Sequence, residues 1–362
     1  MTDPRIVKFA EVLVNYSARV KKGETILIRA EPAAEDLVRE VYRKAVAAGA
    51  HAHVRLGLPG ADTIFFSEAG DEQLDHLSPI GMFEAEHIDA LIGIGAAVNT
   101  RSMTSVPPEK QARRSKATKP MRDIILKNVR WCGTLYPTAA YAQDAEMSTE
   151  EFRDFVFRAV FADKDDPIAE WRELSKMQDK LIEAIAGKKE VHIKADGTDL
   201  RMSIDGRKWI NSDGKHNMPS GEIFTCPVED SVEGVVTYTY PVISAGREID
   251  GIRLVFKEGR VVEATAKKGE EYLKKMIAMD EGASRVGELG VGTNYGIDRF
   301  VKSILYDEKI GGTIHIALGN AYTETGGTNV SALHWDMICD LRRGGEMLAD
   351  GDVFQKDGKF QV

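Results

Sequence analysis

Six places in the second half of the chain set a reactive side chain in small or glycine-rich sequence. They are Glu222 in MPSGEIF, Glu288 in GELGVGTN, Glu308 in YDEKIGG, His315 in GGTIHIALG, Tyr322 shortly after it, and the pair His334-Trp335-Asp336. Spacing decides what the pair can do. Side chains at i and i+2 share one face of a strand but diverge by about 200° on a helix, so on a strand His334 and Asp336 can grip one ion. His315 also falls in an apolar strand pattern, and imidazole with carboxylate is the donor mixture that suits Zn, Mn, Co or Fe. Two further carboxylates would complete a dinuclear site, in which a bridging ligand holds two cations close and a shared water is acidified. That is hydrolytic chemistry. Each residue also has a structural reading: a histidine satisfied in the core, a surface His-x-Asp pair, glutamates in glycine turns. No HExxH or CxxC motif accompanies them.

The surrounding elements change character midway. In the first half, a strand at Thr25 to Arg29 leads into a helix over Ala34 to Ala48, where Leu37, Val41 and Ala45 recur at helical spacing and Gly49 supplies the stop. A short strand follows through His51 to Leu56, and the apolar runs Ile88 to Ile94 and Val129 to Leu135 suit buried parallel strands. This is the pattern of an open, mostly parallel α/β domain over residues 1–187, closed by a long amphipathic helix at Pro167 to Ala186. From 188 to 362 the chain reads as a β-rich α+β catalytic domain. VHIKA, Asp196-Gly197, LRMSI and Asp205-Gly206 carry hairpin signals, as do IRLVF, Lys257-Glu258-Gly259 and RVVEATA, with a helix near Glu270 to Met279.

Composition sets the outer limits. The 362 residues carry 48 Lys+Arg and 57 Asp+Glu, so 48 − 57 gives a formal charge of −9. With 43% hydrophobic and 29% charged residues, the chain has the makings of a sizeable core and is neither disordered nor membrane-spanning. The N-terminus alternates charged and apolar positions as a first helix does, without a signal-peptide core. Three scattered cysteines, Cys132, Cys226 and Cys339, fit neither a disulfide framework nor a zinc ribbon and point to a reducing cytoplasm. The acidic balance argues against nucleic acid as a partner.

The segments MPSGEIF, GELGVGTN, DEK…HIALGNAY and HWDMICD, in this order, resemble the motifs of the thermophilic metalloaminopeptidases of the aminopeptidase T and aminopeptidase S type, which are leucyl aminopeptidase-like. The likeness spans most of the second half; in the first, only the α/β layout agrees. It implies a homodimer with two divalent ions per chain, zinc, cobalt or manganese, acting on peptides with a free N-terminus. Position by position, it makes Glu222, Glu288, His315, His334 and Asp336 metal ligands and Tyr322 the catalytic tyrosine. Glu308 matches a family acidic position, but a longer gap separates it from His315; it is either a further ligand or a solvent-exposed turn carboxylate. The expected mechanism has Asp336 or Glu288 bridging the ions, a carboxylate moving the proton, Glu288 preferred as bridging ligand or nearby base, and Tyr322 donating to the developing oxyanion. Two rivals stand beside it. A mononuclear non-haem Fe(II) ring-cleaving dioxygenase would use His315, His334 and Asp336 but give Glu222 and Glu288 no purpose. A catalytically silent binding or structural protein would hold no metal.

Other signals have plainer readings. Gly93-x-Gly95 lacks the third glycine of a dinucleotide fingerprint and reads as a tight turn after a strand. The basic stretch Lys110 to Arg122 reads as a solvated helix face. Cys226 and Cys339 read as small core residues, Trp335 as pointing away from the ions into packing, and His51-x-His53 as structural or exposed.

Overall fold

The computed structural model describes residues 3–244 and 246–362. They form two compact units, Met1–Glu170 with Gly214–Pro219, and Trp171–Asp213 with Ser220–Val362. The first is an α/β unit built on a parallel five-stranded sheet. Its strand order is His51–Leu56, Thr25–Ala30, Ala90–Gly95, Arg130–Leu135, Asn217–Met218. Ile26, Leu27 and Ile28 are buried in succession, as a strand covered on both faces requires. The helix Glu35–Ala47 buries Leu37, Val41 and Ala45 completely and is followed by Gly49 at φ +81°, a conformation glycine adopts without strain. His51 and His53 lie on the exposed edge strand. At Gly95 a Cβ would come within 2.6 Å of Leu135 Cδ2, so close packing accounts for this glycine. The basic stretch forms the helices Pro108–Ala117 and Lys119–Asn128, with Arg113 2.8 Å from Asp71 and 2.6 Å from Asp75.

The second unit is β-rich. One eight-stranded antiparallel sheet contains the two expected hairpins, Glu190–Ala195 with Thr198–Ser203 and Arg253–Lys257 with Arg260–Thr265. A second antiparallel sheet runs His334–Asp340, Thr313–Gly319, Val286–Gly292, Glu222–Thr225, Ile210–Ser212. Asp205-Gly206 departs from the hairpin reading. The turn there leads from Thr198–Ser203 in the first of these sheets to Ile210–Ser212 in the second. The helix Pro167–Ile185 also differs from its expected place at the end of the first domain. From Trp171 onward it belongs to the second unit, where Leu181 and Ile185 join a core drawn from both sheets. Cys132, Cys226, Cys339 and Trp335 are all buried. Among the described residues, no helix is long and apolar enough to cross a membrane.

Candidate metal centre

Register brings the reactive residues together. Across the second sheet Glu288 pairs with Ala317 and Ala317 with Asp336, Gly290 pairs with His315, Gly292 with Glu222, and Gly319 with His334. Directly paired residues of antiparallel strands project to the same face, as do residues two apart. Glu222, Glu288, His315, His334 and Asp336 therefore share one face. The intervening residues Leu289, Val291, Ile314, Ile316 and Trp335 point the other way into the hydrophobic core. A bulge between Val286 and Glu288 inserts Gly287, which lets Val286 face the core while Glu288 faces the site. Much of the floor beneath these side chains is Gly290, Gly292, Ala317 and Gly319. A Cβ at Gly290 would lie 2.0 Å from His315 Cε1, so the imidazole rests directly on the glycine backbone.

Both histidines are aimed from behind. His315 Nδ1 lies 3.0 Å from the carbonyl oxygen of Glu308, and His334 Nδ1 2.8 Å from that of Asn320. A carbonyl only accepts, so Nδ1 carries the proton in each ring and Nε2 faces inward. Glu288 sits between them, with Oε1 3.4 Å from His315 Nε2 and Oε2 3.1 Å from His334 Nε2. Glu222 Oε2 approaches His315 Nε2 at 3.6 Å, and Asp336 Oδ1 approaches His334 Nε2 at 3.6 Å.

Glu308 comes from the turn after the short helix Ile304–Asp307 and is not solvent-exposed: its side chain is 14% accessible and bonds to the ammonium of Lys309. Lys309, absent from the residues singled out in the sequence, is fully buried and also lies 3.5 Å from Glu222 Oε1. Tyr322 reaches the site from the loop between two strands. Its ring packs at 5.2 Å from that of Phe224 and 5.1 Å from that of His334, and the residue stays 41% exposed. Beside His334 and Asp336 opens a cavity of about 400 Å³, walled by Val242, Ile243, Phe300, Ile304 and Ile338.

The electrostatics show a site short of positive charge. Burial pushes Glu308 up to about 8, with Glu222 and Asp336 adding to the effect and Lys309 opposing it. Burial disfavours the charged form of both imidazoles, but Glu288, Glu222 and Asp336 outweigh it and raise His315 to about 10; Asp336 and Glu288 raise His334 to about 11. Burial also lifts the Tyr322 hydroxyl well above its ordinary value, reinforced by the surrounding carboxylates, so it remains a proton donor at neutral pH. Glu222 Oε2 is buried without a hydrogen-bond partner. Ligand atoms of Glu288, His334 and Asp336 lie within 4.8 Å of one another. An orphaned carboxylate oxygen, inward Nε2 atoms and an all-oxygen-and-nitrogen donor set fit divalent cations.

Comparison with known proteins agrees. The model of the family described as thermophilic metalloprotease (M29) matches residues 2–360. Aminopeptidase 2 of Geobacillus stearothermophilus is 30% identical over 97% of this chain and 94% of its own. Aminopeptidase T of Thermus thermophilus is 28% identical over 88% and 85%. The solved structure of wild-type AmpT from Thermus thermophilus superposes with a TM-score of 0.86 at 25% identity, covering 99% of both chains. That of 2,5-dihydroxypyridine dioxygenase from Pseudomonas putida KT2440 superposes at 0.57 with 14% identity over 99% of this chain and 97% of that one, a likeness of fold alone.

Proposed function

The chain belongs to the thermophilic metalloprotease family M29, and from that premise we propose that it is an aminopeptidase in which Glu222, Glu288, His315, His334 and Asp336 would hold two divalent ions. The observation that carries this reading is the position of Glu288, whose two oxygens face the two inward histidine nitrogens at 3.4 and 3.1 Å. Each histidine brings its own carboxylate, Glu222 beside His315 and Asp336 beside His334. This divides the donors into two sets with one shared carboxylate. When bound, zinc, cobalt or manganese ions acidify a water and polarise the scissile carbonyl.

The remaining work falls to the chain's own residues. A carboxylate of the centre that is not shared between the ions accepts the proton released by the attacking water and delivers it to the leaving amine. Tyr322, protonated at neutral pH and flanked by the rings of Phe224 and His334, donates to the oxyanion that develops on the carbonyl. Glu308 has a supporting place, pairing Lys309 behind Glu222. The peptide enters by its free N-terminus, and a cytoplasmic homodimer is part of the same reading. A single-iron dioxygenase or a silent binding protein gives the buried Glu222 and Glu288 no ion to hold, and burying carboxylates is costly even beside Lys309 and the two histidines.

The test is hydrolysis of aminoacyl-arylamides by metal-replete protein, with metal content measured by elemental analysis. Glu288→Gln and His334→Ala are expected to fold and to lose turnover by several orders of magnitude. Undiminished turnover in both variants would end this reading, as would iron as the only ion bound.

A further inference from the structure

The two halves of the centre are not alike. Around His334 the donors are compact, with ligand atoms of Glu288, His334 and Asp336 all within 4.8 Å. Among the described residues, neither Glu288 nor Asp336 has a lysine or arginine at ion-pair distance. Around Glu222 a cation is already built in. Lys309 has no exposed side-chain surface, bonds to Glu308 and stands 3.5 Å from Glu222 Oε1. Its backbone is pinned on both sides, its N–H donating to Tyr306 O at 3.0 Å and its carbonyl accepting from Asn294 N at 3.2 Å. Neither the sheet nor the core needs an ammonium here, and a buried charge of this kind persists only where paired.

We propose that Lys309 makes the two ion positions unequal: the Glu288–His334–Asp336 side holds a resident ion tightly, and the Glu222–His315 side holds an exchangeable one. The inference rests on the two-ion reading given above. The ammonium supplies part of the positive charge that Glu222 and Glu308 require. A dication arriving there meets a like charge a few ångströms away in a site screened from water, where repulsion is far stronger than in bulk solution. On the other side the ammonium acts on Asp336 only from beyond ion-pair distance, and the nearest groups are carboxylates and imidazoles. Protein purified without added metal then carries one ion per chain, and the second enters when metal is abundant.

The experiment is a Co(II) titration of the metal-free chain, followed by visible absorption and by equilibrium dialysis with elemental analysis. The wild type should bind a first equivalent tightly and a second at least about tenfold more weakly. Asp336→Asn should abolish the first step, and Glu222→Gln only the second. Lys309→Met, neutral and of similar length, should tighten the second step about tenfold or more and leave the first within about twofold. Two equal sites in the wild type, or a folded Lys309→Met variant whose second step is unchanged or weaker, overturns the proposal. If that variant does not fold, Glu222→Gln decides alone, since loss of the tight step would place the resident ion on the wrong side. A wild type that binds no ion at all removes the two-ion reading itself, and this inference with it.

Discussion

Replacing Gly290 by alanine adds one methyl group where the site has no room for it. A Cβ at this position would stand 2.0 Å from His315 Cε1 and 2.1 Å from Nε2, against the 3.5–4.0 Å or so at which such atoms rest. Gly290 is not among the glycines held at positive φ, so alanine suits its backbone and the whole cost falls on the imidazole. To clear the methyl, the ring must move by more than about 1 Å. That forfeits the 3.0 Å hydrogen bond from Nδ1 to Glu308 O, roughly 1 kcal/mol. Overpacking of a tight interior adds about 1–3 kcal/mol. Together these lower the melting temperature by roughly 5–15 °C for a unit of this size, and loss of ligand support weakens metal binding about 10- to 100-fold. Calorimetry of the metal-free protein and a metal titration read the two effects separately. Gly57→Ala is the control, because a Cβ there meets only Ala30 O at 3.8 Å. The decisive comparison is the double variant with His315→Ala: once the ring is gone, the methyl should add no more than about 0.5 kcal/mol. A Gly290→Ala protein that matches the wild type in stability and metal affinity, or a double variant whose losses simply add, refutes the argument.

Two further outcomes follow from the same geometry. Tyr322→Phe keeps the ring contacts with Phe224 and His334 but removes the donor; kcat should fall about 10²–10³-fold with metal content and KM little changed, and a proportionate rise in KM instead would make the hydroxyl a binding group. In metal-free protein, burial opposes the charged imidazoles but the neighbouring carboxylates prevail, holding His315 at about 10 and His334 at about 11, above the roughly 6.5 of an unfolded chain. Folded-state values raised in this way give stability that is full below about pH 6.5 and disappears as pH rises through those values, so chelator-treated protein should melt at progressively lower temperature from pH 7 to pH 10, and a flat profile counts against the charge balance described.

Much of this centre is written in local pattern. The His-x-Asp spacing at 334 and 336, the apolar alternation around His315 and the glycines beside Glu288 each identify a strand and a face, because period two is visible within a few residues. What joins those strands is not local. Glu222 reaches Glu288 only through a register that sets Gly292 opposite Glu222, and the bulge at Gly287 that turns Glu288 toward the site has no signature beyond a glycine. Lys309 was hidden for a related reason: in YDEKIGG, a lysine sealed beneath a turn and one in water look the same. The short strand Asn217–Met218 joins the first unit's sheet from far along the chain, and the helix Pro167–Ile185 packs forward into the second unit, pairings that no periodicity announces.

The sheet that carries the proposed ligands is also a wall of the second unit's core. Every residue of Val286–Gly292 and of Thr313–Gly319 is buried, and the faces behind Glu288 and His315 merge with the main hydrophobic cluster. Amide hydrogens on these strands should exchange only when most of the unit opens, whereas Tyr322 is itself exposed and is followed by exposed Thr323 and Glu324. Local opening therefore frees the tyrosine long before it frees the histidines and carboxylates. On heating, the Tyr322 loop should loosen first, while the sheet that carries the proposed ligands lasts until the core itself gives way.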